Sequence, residues 1–287
     1  VATIDRNSYS RPLAASAASP FRYPGGKGFL TEFLRTRIER IQSEAITYVE
    51  PFAGGAGAAM NLFRDGVVKR VILNDLDVRI YSAWRALLEE NQRFRDRLGE
   101  VAITIDNWFK YRSIVDAPPN EYSFETGFAT FFINRTSRAG ILQGSGPIGG
   151  YQQNGKWKID ARFYRATMLE RVKWIGDNSA FIEISQQSAV KFLKSFQNDP
   201  RLNEKFFFID PPYVDAGTRL YFNGMSELDH RELARFLLSD VLRHWVLTYD
   251  SHPLIEKLYS TRDHKYLEVG YSLARVRNEE EILISSN

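Results

Sequence analysis

No cysteine occurs anywhere in the 287 residues. That excludes a disulfide framework, a thiolate metal site and a cysteine nucleophile. Histidine is scarce: His230, His244, His252 and His264 all fall in the last quarter, without the spacing of a metal-ligand set. No metal is therefore expected. No apolar run reaches the roughly 20 residues of a membrane-spanning helix. Residues 1–19, with Arg6, Arg11 and an Ala/Ser-rich stretch, are too polar for a signal-peptide core. The expectation is a cytoplasmic protein, a monomer when acting, with a mobile lead-in over 1–20. A large charge imbalance is missing too: 38 Lys and Arg face 35 Asp and Glu, for a net +3. Such a balance is compatible with a polyanion partner without pointing to one.

What the chain does have is alternation. Apolar runs at 46–49, 71–73, 181–184, 206–209 and 245–249 read as buried strands, with 266–269 and 281–285 closing the series. Helical spacing at 30–41, 58–64, 189–196 and 230–238 separates them. This predicts an α/β fold with a mostly parallel, doubly wound sheet. The run 206–209 ends in Asp210-Pro211-Pro212-Tyr213, and a carboxylate at the carboxyl end of such a strand sits where these sheets bind ligands. Two prolines stiffen the exit and leave the Pro211 carbonyl free to accept. With the Tyr213 ring alongside, Asp210 and Pro211 offer a slot for a flat base bearing an amino group.

The strand 46–49 runs into Glu50-Pro51-Phe52-Ala53-Gly54-Gly55-Ala56-Gly57 and then a helix, a nucleotide-binding arrangement. Met60 stands where a dinucleotide fingerprint wants Gly or Ala, which disfavours NAD. Gly25-Gly26-Lys27 lacks the spacing of a phosphate loop, so nothing argues for ATP. Asp75 closes the next strand, either as a ligand for ribose hydroxyls or as the N-cap of a helix from about Val78. A loop over 214–225 is placed to cover the site.

Between 83 and 176 the alternation lapses. Helices are expected at 84–98 and 124–133, followed by a glycine- and proline-rich loop at 144–150 and a hairpin about Asn154-Gly155. From 130 to 175 eight basic residues face two acids, a local excess of six that exceeds the net charge of the chain. An inserted domain that grips phosphates is the reading, with a solvated basic face that has no partner as the alternative, and Phe131, Phe132, Trp157 and Phe163 are expected in its core.

In order, Phe21-Arg22-Tyr23-Pro24-Gly25-Gly26-Lys27, Val49-Glu50-Pro51-Phe52-Ala53-Gly54-Gly55, Asn74-Asp75, Asn134-Arg135, Asp210-Pro211-Pro212-Tyr213 and Glu281-Ile282-Leu283-Ile284-Ser285 resemble the DNA adenine-N6 methyltransferases of the Dam/DpnM type (the D12 class). The resemblance runs from about Phe21 to the C-terminus. It implies a Rossmann-like methyltransferase sheet over 21–82 and 177–287, and a mainly helical target-recognition domain over 83–176. The implied reaction is methyl transfer from S-adenosylmethionine to the N6 amine of an adenine flipped out of duplex DNA. Asp210, Pro211, Pro212 and Tyr213 would be catalytic. Tyr23, Gly26, Lys27, Glu50, Phe52, Gly54, Gly55, Asp75 and Asp210 would hold the cofactor. Arg22, Asn134, Arg135, Arg138, Gln143, Lys156 and Lys158 would meet DNA.

Two departures stand out. Ser188-Ala189 occupies the place of the Asp-Phe pair that in the family meets the cofactor adenine. Arg138-Ala139-Gly140-Ile141 and Gln143 replace the stretch that reads GATC in Dam, so that specificity is not carried over. Cytosine-N4 transfer, an RNA adenine substrate and a catalytically silent DNA-binding relative are the alternatives.

Overall fold

The computed structural model describes residues 3–4, 18–22, 27–214, 224–273 and 275–286, with the backbone alone for 3–4 and 267–280. Its strands are β1 (Thr3–Ile4), β2 (Thr47–Glu50), β3 (Arg70–Asn74), β4 (Ile182–Ser185), β5 (Lys205–Ile209), β6 (Trp245–Asp250), β7 (His264–Leu273) and β8 (Arg275–Ser285). They lie in one sheet in the order β1-β7-β8-β6-β5-β2-β3-β4. Every pairing is parallel except those of β8, which runs antiparallel to β6 and β7. The expected doubly wound, mostly parallel sheet is therefore present.

Each residue of β2 and of β5 is buried, as strands covered on both faces must be. Successive side chains point to opposite faces. Phe206 and Phe208 thus join one apolar cluster, while Phe207 and Ile209 join the other. From β2 the chain builds outward through β3 to β4, and from β5 in the other direction to β6. The order reverses between β2 and β5, where loops leaving the carboxyl ends diverge and open a crevice.

The helices are α1 (Thr31–Ile38), α2 (Gly57–Arg64), α3 (Val78–Glu89), α4 (Asn91–Glu100), α5 (Ile105–Asp116), α6 (Phe124–Thr136), α7 (Arg165–Asp177), α8 (Ala189–Lys194), α9 (Glu227–Leu237) and α10 (Pro253–Leu258). The single helix expected over 84–98 is two. Asn91 divides them: its side-chain amide donates to Leu87 O at 2.7 Å and to Val172 O at 2.8 Å, ending α3 while tying it to α7. In α6 every residue except Glu125 is buried. Gly127 lets it approach α3, since a Cβ there would stand 2.3 Å from Ser82 O. Trp84, Phe94, Phe128 and Phe131 belong to the same continuous cluster as Leu73 and Ile182 of the sheet. The inserted helices thus share the core of one sheet face.

Three expectations need correction. Residues 150–163 form turns and bends with no paired strands, so the hairpin is absent. The Gln153 side chain takes the place of a ladder, donating to Ile148 O at 2.8 Å and Gly150 O at 2.6 Å and accepting from Ile159 N at 2.9 Å. Trp157 is 62% exposed, whereas Phe131, Phe132 and Phe163 are core. The lead-in is anchored at its end. Ala18, Ser19 and Pro20 are buried, with Ala18 N bonded to Asn61 Oδ1 at 3.0 Å and Ser19 Oγ to Gly55 O at 2.5 Å.

Candidate active site

Parallel neighbours β2 and β5 deliver Glu50 and Asp210 to the crevice, and β3 delivers Asp75 beside them. A cavity of about 350 Å³ opens there. Among the described residues, six carboxylates line it, those of Glu50, Asp75, Asp77, Asp210, Asp229 and Glu232, against the one amine of Lys27. Phe52, Gly54, Gly55, Ser188 and Pro212 line it as well. So acidic an enclosure favours a cationic ligand and repels phosphates.

Asp75 is braced from two sides. Gly54 N donates to its Oδ2 at 2.9 Å and Asp77 N to its Oδ1 at 2.9 Å. Burial, then repulsion from Asp77, pushes its carboxyl up to about 7 against the help of those N–H groups. It does not cap α3; Asp77 does, accepting from Arg79 N. Asn74 joins the loops that follow β2 and β4. Its amide donates to Pro51 O at 3.0 Å and Gln187 O at 2.9 Å, and its oxygen accepts from Ser185 Oγ and Gln187 N. Glu50 is 5% exposed, and its Oε2 has no hydrogen-bonding partner among the described residues. Burial, with repulsion from Asp210 and Asp75, holds its carboxyl well above the usual carboxylate range. A buried acceptor without a donor beside a cavity is a seat for a cation or N–H donor.

At Asp210 the two oxygens differ. Oδ1 accepts from Thr248 Oγ1 at 2.7 Å and faces Lys27 Nζ at 3.1 Å. Oδ2 accepts from none of the described residues. Burial raises the Asp210 carboxyl; Lys27 opposes that and Glu281 adds to it. The Tyr213 hydroxyl donates to Glu281 Oε1 at 2.6 Å and accepts from Lys27 Nζ at 2.8 Å. Its ring lies 6.3 Å from that of Tyr249, tilted by 39°.

Lys27, Glu50, Phe52, Gly54, Gly55, Asp75, Asp210 and Pro212 are thus brought to one place. Pro211 and Tyr213 do not line the cavity; Tyr213 reaches Asp210 from beside it. Tyr23, Gly26 and most of the loop 214–225 lie outside the described residues. Ser188 is exposed at the start of α8 and makes no capping bond.

The residues expected at DNA divide in two. Arg138, Gln143, Lys156 and Lys158 are exposed, and Arg22 is half-buried. Asn134 and Arg135 are 1% and 3% exposed. Asn134 accepts from Arg22 N at 2.8 Å and donates to Arg22 O and Gly140 O. Gly140 has φ +76° and so little room that a Cβ would meet Arg22 O at 2.3 Å. Arg135 donates to Pro20 O and Arg162 O, and burial lowers its pKa to about 9. Both are internal ties that seat Arg22 and the lead-in, with their polar groups turned inward. Arg165 and Arg171 likewise bond to backbone carbonyls, of Val101 and Ser19. Part of the basic excess read from the sequence therefore holds the fold together.

Thr248 and Glu281 were missed as site residues. Thr248 was signalled by a polar side chain inside an apolar run, and Glu281 by being the last acid before the apolar Ile282-Leu283-Ile284.

Residues 23–273 match the family model for D12 class N6 adenine-specific DNA methyltransferase. The type II methyltransferase M.CviBI of Paramecium bursaria Chlorella virus NC1A is 22% identical over 257 residues, which cover 87% of this chain and 89% of the relative. Two structures of the rRNA methyltransferase aviRa of Streptomyces viridochromogenes align at 12% identity with TM-scores of 0.40 and 0.36. They cover 96% and 95% of this chain, and 88% and 91% of their own.

Proposed function

We propose that this chain, which belongs to the D12 class of N6 adenine-specific DNA methyltransferases and methylates adenine in DNA, binds S-adenosylmethionine in the acidic cavity and presents a flipped adenine to Asp210. The observation that carries the reading is the asymmetry of Asp210: Oδ1 is held by Thr248 and Lys27, while Oδ2 takes no hydrogen bond from the described residues.

The cavity fits the cofactor on its donor chemistry. The buried, unpaired Oε2 of Glu50 suits an ammonium. The braced carboxylate of Asp75 suits ribose hydroxyls, and the glycine turn lets a ligand approach the N-terminus of α2. When bound, S-adenosylmethionine supplies a methyl group already activated on a sulfonium. The protein's part is position and electrostatics. The adenine N6 lone pair is delocalised into the ring, so the amine is a poor nucleophile. Hydrogen bonds from its N–H groups to Asp210 Oδ2 and the Pro211 carbonyl favour a more tetrahedral nitrogen and direct the lone pair away from the ring. After transfer, the cationic amine is acidic and Asp210 Oδ2 can take its proton. The amine is inaccessible inside a duplex, so the base is extruded, with the Tyr213 ring as its stacking surface. The stretch 83–176 serves as target-recognition domain, with Arg22, Arg138, Gln143, Lys156 and Lys158 on its DNA side.

The test is product analysis. The protein is incubated with methyl-labelled S-adenosylmethionine and mixed-sequence duplex DNA, which is then digested to nucleosides. Label on N6-methyladenine is expected. Label confined to N4-methylcytosine, or to RNA in a competition, would overturn the reading.

A further inference from the structure

Glu281 has no part in the chemistry just described, yet it stands at the centre of the contacts around Asp210. It lies in β8, opposite Asp250 of β6 and Leu267 of β7. It is 1% exposed and is followed by Ile282, Leu283 and Ile284, all buried. A carboxylate in such a place is costly unless paired and hydrogen-bonded. Here Oε1 takes the Tyr213 hydroxyl proton at 2.6 Å and faces Lys27 Nζ at 3.3 Å. The same two groups lie against Asp210 Oδ1, Lys27 at 3.1 Å and the Tyr213 oxygen at 3.4 Å.

Hydrogen counting shows what this does. Tyr213 has one hydroxyl proton, and the shorter contact assigns it to Glu281. Its oxygen is then free to accept from Lys27, which it does at 2.8 Å. Lys27 carries three ammonium hydrogens, and among the described residues Asp210, Glu281 and Tyr213 are acceptors that meet it. Without Glu281, the Tyr213 proton would turn to Asp210, and Lys27 would lose one of the acceptors that aim it.

We propose that Glu281 is a positioning residue for methyl transfer: by taking the Tyr213 proton and one Lys27 hydrogen, it aims Lys27 at Asp210 Oδ1, sets the Tyr213 ring and leaves Oδ2 for the adenine amine. This rests on the reading of Asp210 as the adenine-binding carboxylate. It also has a signature in pH. Among the described residues, the groups acting on Asp210 are Lys27, Tyr213 and Glu281 on one side, Thr248 and Tyr249 on β6, and Tyr48 and Glu50 on β2. Of these, Glu281 raises the Asp210 carboxyl and Lys27 lowers it. Neutralising Glu281 therefore makes Asp210 ionise at lower pH.

The experiment compares wild type, Glu281→Gln, Tyr213→Phe and the double variant in the full chain. It measures melting temperature, S-adenosylhomocysteine binding, and kcat and KM for N6 methylation across pH. Expected for Glu281→Gln are a fold and ligand affinity close to wild type and a kcat lower by roughly 10- to 100-fold. The acid limb of the kcat–pH profile should also move to lower pH. The double variant should lose little more than either single one, since both act through one linkage. Wild-type kcat and an unmoved acid limb in Glu281→Gln, or fully additive losses, would overturn the proposal. Should Glu281→Gln fail to fold, Tyr213→Phe still decides: the proposal requires a lowered kcat at unchanged KM for S-adenosylmethionine, and a wild-type kcat would sink it. A wild type that makes no N6-methyladenine would instead refute the functional reading beneath it.

Discussion

The Thr248 hydroxyl donates to Asp210 Oδ1 at 2.7 Å, the oxygen that Lys27 also meets. β6 thereby holds the carboxylate at the end of its neighbour β5 by one edge. Thr248→Val keeps the shape of this buried side chain and removes the donor. Lys27 remains, so Asp210 is loosened without being freed. Single-turnover methylation should slow about tenfold, equivalent to ~1.4 kcal/mol in the barrier, with S-adenosylhomocysteine affinity unchanged.

Asp210→Asn tests the free oxygen. An asparagine would keep its carbonyl toward Lys27 and Thr248, because both are donors. Its NH₂ would then stand where Oδ2 was, facing the adenine amine donor to donor. Turnover should fall by about 10³-fold or more, while S-adenosylhomocysteine titrated by calorimetry still binds. Substantial methylation by this variant would remove Asp210 from the mechanism.

Asp75 sets a pH dependence. Its carboxyl is raised to about 7 by burial and then by Asp77. Below that value it is neutral and a poorer acceptor for ribose hydroxyls, so S-adenosylhomocysteine should bind more tightly at pH 8 than at pH 6. In Asp75→Asn that difference should largely vanish. Stability runs the other way. The folded carboxyl holds its proton more tightly than an unfolded aspartate at about 3.9. Its contribution is thus complete below the unfolded value and lost as pH rises through about 7. Melting temperatures at pH 6 and 8, in wild type and variant, measure this term.

The basic residues separate by burial. Arg138, Lys156 and Lys158 are exposed, and Ala at each should lower the slope of log affinity against log salt for duplex DNA by about 1. Arg135 is buried and holds the carbonyls of Pro20 and Arg162. Arg135→Ala should cost about 1–3 kcal/mol of stability in urea melts, by leaving those groups unsatisfied. Its salt slope should match wild type in fluorescence anisotropy.

The elements that carried a strong local signal were legible. β5 is a continuous apolar run closed by an acid and two prolines, and the glycine turn after β2 is bounded by a strand and a helix. α5 and α7 were not expected, although Trp108, Tyr111 and Val115, and Met168, Val172 and Ile175, sit at helical spacing. Only those three positions of each are buried, and apolar neighbours such as Phe109 and Ile114, or Leu169 and Trp174, blur the stripe. The hairpin failed for a different reason. Asn154-Gly155 favours a turn, but the Gln153 amide takes the backbone groups that flanking strands would have paired. Asn134 and Arg135 resembled contacts to DNA because their residue types suit either role, and burial is not written in a dipeptide.

By itself the sequence determined which runs become strands, and which acids and glycines stand at their ends. Those outcomes follow from side-chain period and backbone sterics over a few residues. Only the tertiary structure decided that Lys27 meets Tyr213, 186 positions away, that Glu281 joins them from an antiparallel strand, and which oxygen of Asp210 is left open. Strand order and the packing of distant segments set these contacts, and no local pattern encodes the distance between residues that meet only when the sheet closes.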